Sequence, residues 1–325
     1  MIEPESKENI MKIEDIKRLA VIGLGKMGGD WVVNFLEAGF EVVGYDQNPV
    51  MIAQAPKQIE GGLKWLQKNH YSDQPDFISQ KMANLTIVSN KADFIAHLQK
   101  SQIFLECVFE DMDIKCQLLQ EYAPYLPATG LIWSNTSSLN IQTMAQASQR
   151  PASFIGTHGM NPVYQMPAVE VIRHGAIDPE SITITLDILQ KMGKIPFIAA
   201  DVPGFWVNKQ LVPFALEAIR ALERGEITVA DGDKGLKGSL GHPQGIFKLL
   251  DLIGLDTIYR VALAMYLATQ DPRMYPPLLL CRMFKNKEAG LKSSRGFYEW
   301  EGFKAVKARD FSPFTIKDSN TLLDM

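Results

Sequence analysis

Leu19-Ala20-Val21-Ile22-Gly23-Leu24-Gly25-Lys26-Met27-Gly28 is the stretch whose reading decides the fold of the first part of the chain. The apolar run reads as a buried strand, the glycines as a tight turn, and Trp31, Phe35 and Leu36 as the apolar face of a following helix. Gly-x-Gly-x-x-Gly alone is a weak signal, and the strand–turn–helix context is what strengthens it. Gly23 permits the turn, Gly25 lets a pyrophosphate approach the backbone, and Gly28 lets helix and strand pack closely. The helix N-terminus then offers unpaired N–H groups and the positive end of a dipole. A second strand, Glu41 to Tyr45, runs into Asp46. A carboxylate there accepts the hydroxyls of an adenosine ribose and repels a 2′-phosphate, and Gln47-Asn48-Pro49 bring no arginine, so the pattern points to NAD over NADP. The alternative is a glycine turn that binds nothing, with Asp46 capping a strand end.

Working outward, strand-like runs recur at 85–88, 103–107, 131–134, 154–157, 169–172 and 195–198. Helical patterns fall between most of them, near 50–70, 112–123, 140–148 and 179–192. This alternation predicts an α/β fold, a Rossmann-type, doubly wound and mostly parallel sheet. The pattern changes at Asp201-Val-Pro-Gly204. Beyond it the spacing predicts helices at 205–223, 228–240, 246–270 and 275–286 and no strand. The expected organisation is an NAD-binding domain over 1–200 and an all-helical substrate and dimerisation domain over 201–325.

Composition bounds the function. The chain has 325 residues, 46% hydrophobic and 22% charged, with a net charge of −4. Disorder over most of it is excluded, and a general nucleic-acid or anionic-membrane binder would need a basic face. Cys107, Cys116 and Cys281 have neither metal-ligand nor redox-pair spacing and read as free thiols of a reducing compartment, the cytoplasm. Met1 to Lys12 lacks the apolar core of a secretory signal. Leu249 to Leu267 is interrupted by Asp251, Asp256 and Arg260 and reads as a buried helix, not a membrane span. Neither a metal nor a membrane is expected.

Of five histidines, His70, His97, His174 and His242 read as surface or satisfied core residues. His158 ends a strand-like run and is followed by Gly159-Met160-Asn161-Pro162, which places it at a strand's carboxyl end, where open α/β sheets bind ligands. Glu170 lies between valines, where a charge needs a partner. The two form a candidate general base and orienting carboxylate.

Further motifs are Glu106-Cys-Val-Phe-Glu110-Asp with Lys115, Ser134-Asn-Thr-Ser-Ser-Leu139, His158-x-x-Asn161-Pro162 and Pro203-Gly204-Phe205 with Val207-Asn208. Glu217-Ala218-Ile219, Gly241-His242-Pro243, Leu250-Asp251 through Gly254-Leu255-Asp256-Thr257, and Gly296-Phe297-Tyr298 follow. With the glycine loop, these make the chain resemble the L-3-hydroxyacyl-CoA dehydrogenases of β-oxidation, 3-hydroxybutyryl-CoA dehydrogenases among them, from about residue 16 to 300. The resemblance implies reversible, NAD-dependent oxidation of an L-3-hydroxyacyl-CoA to the 3-oxoacyl-CoA. His158 would take the proton of the 3-hydroxyl while hydride leaves C3, and Glu170 would hold the imidazole. Ser137 and Asn208 would hydrogen-bond the substrate's oxygens. Gly23, Gly25, Lys26, Met27, Gly28, Asp46, Glu110, Lys115, Asn135, Ser137, Asn161 and Lys292 would line the cofactor site, and Lys68 would contact CoA. A homodimer through the second domain is implied as well. Ser137 also reads as a helix N-cap before Leu139.

Departures from the family pattern are informative. Two aromatics usually follow the histidine, and here Gly159 and Met160 predict a more open wall beside the base. Gly61 replaces a serine expected to touch CoA, and Gly29-Asp30-Trp31 replaces small apolar residues. Asp30, read as first-turn, is expected to point away from a bound phosphate. Lys57, Lys64 and Lys68 share one helical face, either a strip for an anionic CoA or a solvated surface. Two other functions fit the same residues: a dehydrogenase of a free 3-hydroxy acid of gulonate or carnitine type, favoured by Gly159-Met160, and a nucleotide-binding protein without catalysis.

Overall fold

The computed structural model describes residues 13–311, so the reading of Met1 to Lys12 lies outside the described residues. Those residues divide into two compact units that part between Val202 and Pro203.

The first unit is built on eight strands: β1 (Arg18–Ile22), β2 (Glu41–Tyr45), β3 (Leu85–Ile87), β4 (Ile103–Glu106), β5 (Leu131–Ser134), β6 (Phe154–Gly159), β7 (Ala168–Arg173) and β8 (Ile195–Ala200). Their order is β3-β2-β1-β4-β5-β6-β7-β8. The central strands are buried along nearly their whole length, which is why they read as continuous apolar runs. Seven helices accompany the sheet: α1 (Lys26–Glu37), α2 (Pro49–His70), α3 (Phe77–Met82), α4 (Lys91–Leu98), α5 (Met112–Tyr122), α6 (Ile141–Ala147) and α7 (Pro179–Lys191). The short α3 and α4 were not foreseen, because six and eight residues carry too few turns to show a period. Asn90, which caps α4 by accepting from the Asp93 N–H, was the available signal.

All neighbouring strands run parallel except β6 and β7. A parallel return needs a crossover of a dozen or more residues. The connection from Met160 to Pro167 is too short for that, so the chain turns back antiparallel.

The second unit contains α8 (Val207–Glu223), α9 (Val229–Leu240), α10 (Ile246–Ile253), α11 (Leu255–Thr269) and α12 (Leu278–Lys285). Two expectations are corrected here. The single helix over 246–270 is two, broken at Gly254, whose φ of 105° lies outside the helical range. The unit is also not all-helical: β9 (Tyr298–Glu301) and β10 (Lys304–Ala308) form an antiparallel hairpin. Buried Asp251 on α10 anchors it, accepting from the Phe297 and Tyr298 amides, each at 2.8 Å, and from Trp300 Nε1 at 2.9 Å. The hairpin therefore depends on a carboxylate some forty-odd residues earlier in the chain, which no local period reveals. Val212, Leu216, Leu255 and Ile258 belong to this unit's own core.

Candidate active site

At the glycine loop, Gly23 has φ 91°, and a side-chain carbon there would fall 2.5 Å from the Cys107 carbonyl oxygen. One on Gly28 would fall 1.8 Å from the Gly23 carbonyl oxygen. One on Gly25 would meet nothing within 4 Å. Gly23 and Gly28 thus serve the turn and the packing, while Gly25 borders open space at the start of α1. The Gly29 N–H makes the first α-helical bond, to the Gly25 carbonyl, so the Lys26, Met27 and Gly28 amides precede the ladder and suit an anion. Asp46 steadies the loop: its carboxylate accepts from the Leu24 amide at 2.7 Å and the Asn48 amide at 2.8 Å. An open approach, a helix N-terminus and a carboxylate at the end of β2 fit a dinucleotide without a 2′-phosphate.

His158 and Glu170 lie directly opposite each other on β6 and β7, with Nδ1 2.6 Å from Oε2 and both side chains buried. Against a carboxylate, Nδ1 carries the proton, which makes Nε2 the basic nitrogen. His174, in contrast, is a satisfied core residue with Nε2 on the Phe154 carbonyl.

Between β4 and β5 sits a buried ionic network. Glu106, fully buried, meets Lys115 Nζ at 2.6 Å and accepts from Ser134 Oγ at 2.6 Å and the Val108 amide at 2.7 Å. Lys115 also reaches Glu110 at 3.2 Å. Glu110 in turn accepts from Thr136 Oγ1 at 2.7 Å and from the Ser137 amide and hydroxyl at 2.8 and 3.1 Å. Burial alone would raise the Glu110 carboxyl, but the Lys115 ammonium and these donors outweigh it and hold it low. Burial would likewise lower Lys115, and Glu106 and Glu110 outweigh that and push it up. Lys115, expected to contact the cofactor, is 1% exposed and enclosed by protein groups, so its work is to hold the loops that carry Glu110 and Ser137. Glu106 is the residue that sequence reasoning left without a role, although it opens a quoted motif. Ser137 is not the helix cap: Asn140 is, accepting from the Thr143 amide.

Asn135 follows β5, and Asn161 lies exposed in the loop after β6. That loop is fastened through Val163, whose amide donates to Asp30 Oδ2 at 3.2 Å and whose carbonyl accepts from Lys194 Nζ. Asp30, placed in the second turn of α1 rather than the first, is buried and bridged to Lys26 at 2.6 Å. The space at Gly159 is taken by another element: a side-chain carbon there would meet the Trp31 ring at 3.0 Å.

Lys57, Lys64 and Lys68 are exposed on α2, and Lys64 pairs with Glu60 at 2.6 Å. In the second unit Asn208 stands in the first turn of α8. Lys292 Nζ is bound by Asp256 Oδ1 and Thr257 Oγ1, both at 2.9 Å.

The family model described as 3-hydroxyacyl-CoA dehydrogenase, NAD binding domain, matches residues 18–202, and the one for the C-terminal domain of the same enzymes matches 204–300. The chain belongs to the 3-hydroxyacyl-CoA dehydrogenase family. NAD is its cofactor, and its class is that of an NAD-dependent 3-hydroxyacyl-CoA oxidoreductase. Similar curated proteins include the mitochondrial hydroxyacyl-coenzyme A dehydrogenase of Rattus norvegicus, 32% identical across 88% of this chain and 92% of that one. The probable 3-hydroxybutyryl-CoA dehydrogenase of Deinococcus radiodurans is 34% identical across 87% and 100%. Among solved structures, M. tuberculosis FadB2 matches with a TM-score of 0.82 and 32% identity, covering 88% of this chain and 99% of that one. Among the described residues no helix is long and apolar enough to cross a membrane.

Proposed function

We propose that His158 is the general base of a reversible oxidation of L-3-hydroxyacyl-CoA to 3-oxoacyl-CoA, and the observation that carries this is its 2.6 Å contact with buried Glu170 at the carboxyl end of β6. With Nδ1 held by Glu170, Nε2 removes the proton of the substrate 3-hydroxyl, and the carboxylate stabilises the imidazolium that results. In the reverse direction the imidazolium returns that proton to the alkoxide. Bound NAD supplies the hydride acceptor. Ser137 and Asn208 direct dipoles at the substrate's oxygens as charge develops. The glycine loop with Lys26 and Met27, Asp46, Glu110, Asn135, Asn161 and Lys292 hold the cofactor, and the exposed face with Lys68 meets the CoA phosphates. The thioester reading is favoured over a free 3-hydroxy acid by the family match across both units.

The working form is a homodimer through the helical unit, where Phe214, Leu240, Leu267 and Tyr275 are 39–64% exposed. Cytoplasmic residence is supported by the three unbridged cysteines. Light scattering across a concentration series tests the dimer.

The reaction is tested by following NADH consumption with acetoacetyl-CoA, free acetoacetate and dehydrocarnitine. Turnover of the thioester alone is expected. Turnover of the free acids alone, or of none of the three, would replace this reading with one of the two alternatives.

A further inference from the structure

Asn135 Oδ1 accepts two hydrogen bonds, from Trp31 Nε1 at 2.7 Å and from the Gly159 amide at 3.2 Å. Both neighbours can only donate, so the amide orientation is determined chemically: its oxygen faces α1 and β6, and its NH₂ is turned away from them. Trp31 is itself immobilised. It is fully buried, stacked on Phe35 at 5.5 Å and packed near Trp133 at 6.3 Å. Gly159 supplies the space the indole needs, because a side-chain carbon there would also fall 3.1 Å from Val163. Asn135 follows β5, on the β4–β6 side of the sheet. In a doubly wound sheet whose first half binds the adenosine moiety near β1 and β2, the nicotinamide half lies on that side.

We infer that Trp31 is a positioning residue for the nicotinamide half of NAD. The indole N–H fixes the Asn135 amide so that its NH₂ is presented as a donor to the oxygens of the nicotinamide ribose or carboxamide. Trp31 touches neither substrate nor cofactor and acts through Asn135. The inference rests on the assignment of Asn135 to the cofactor site. It also gives Gly159 a function: the ring absent after the catalytic histidine is replaced by one delivered from the phosphate-binding helix.

The test is calorimetric titration of NADH and of ADP, which lacks the nicotinamide half, into the wild type, Trp31→Phe, Asn135→Ala and the double variant. Phenylalanine keeps a ring and removes the N–H. Trp31→Phe is expected to weaken NADH about fivefold, the worth of one oriented hydrogen bond, with ADP affinity unchanged. The double variant should bind NADH no more weakly than Asn135→Ala alone. Wild-type NADH affinity in Trp31→Phe beside a weakened Asn135→Ala overturns the role of Trp31 and leaves Asn135 in the site. Wild-type affinity in Asn135→Ala removes Asn135 from the site and the inference with it. Equal losses for NADH and ADP in Trp31→Phe also overturn it, since they mark a general loosening of α1. Should Trp31→Phe not fold, Gly159→Ala, which displaces the indole, must show the same NADH-selective loss.

Discussion

His158 and Glu170 face each other across the one antiparallel pair of the large sheet, Nδ1 to Oε2 at 2.6 Å. The turn that reverses the chain is what aligns them, and their burial keeps water from competing for the carboxylate. His158→Ala is therefore expected to abolish turnover while NADH still binds. Glu170→Gln, which keeps the shape and loses the charge opposite the imidazolium, should lower kcat roughly a hundredfold with little change in KM. Steady-state kinetics decide it, and substantial turnover by the alanine variant would reject the assigned base.

The glycines of the loop separate structure from binding. Gly28→Ala places a carbon 1.8 Å from the Gly23 carbonyl oxygen and should lower Tm markedly. Gly25→Ala enters open space, so Tm should hold while NADH affinity falls about tenfold or more. Thermal melts beside NADH titrations check both, and a similar loss of Tm in the two variants would contradict the division of roles.

Lys115→Met leaves Glu106 buried without its ammonium. Removing one partner of a buried pair costs about 3–5 kcal/mol, and urea unfolding should show a loss of that order. A variant as stable as wild type would mean that the network is idle.

Glu110 carries the acid limb of the same network. Its carboxyl is held below the usual range because Lys115 and the Thr136 and Ser137 donors outweigh burial. A depressed carboxyl contributes stability above the ordinary value near ~4.3, and that contribution is lost as pH falls through the lower folded value. Urea midpoints of wild type and Glu110→Gln should therefore differ at neutral pH and converge in acid below about pH 4. A constant difference across that window would remove the ionic role of Glu110.

On α2, Lys68→Glu should raise KM for acetoacetyl-CoA and leave KM for NADH nearly unchanged, since the side chain is exposed and away from the glycine loop in sequence. The reversed charge repels an anionic ligand at short range and should do so less in high salt. An unchanged KM for acetoacetyl-CoA would make the lysine face ordinary solvated surface.

Much of this protein is determined by its sequence alone. Strand, glycine turn and helix are contiguous at 19–36, and the carboxylate that favours NAD ends the very next strand. Those features depend on residues a few places apart, so a linear reading reaches them. Tertiary structure decided the rest. Trp31 closes on Gly159 and Asn135 across more than a hundred residues, so the space that the glycine leaves is filled by a distant ring. Lys115 reads as a ligand contact and is enclosed instead, because only packing brings Glu106 and Glu110 around it. Asp251 organises a hairpin that its own helix gives no hint of. In each case a buried polar group must find a partner, and which partner it finds depends on how distant segments pack, a quantity absent from any local pattern.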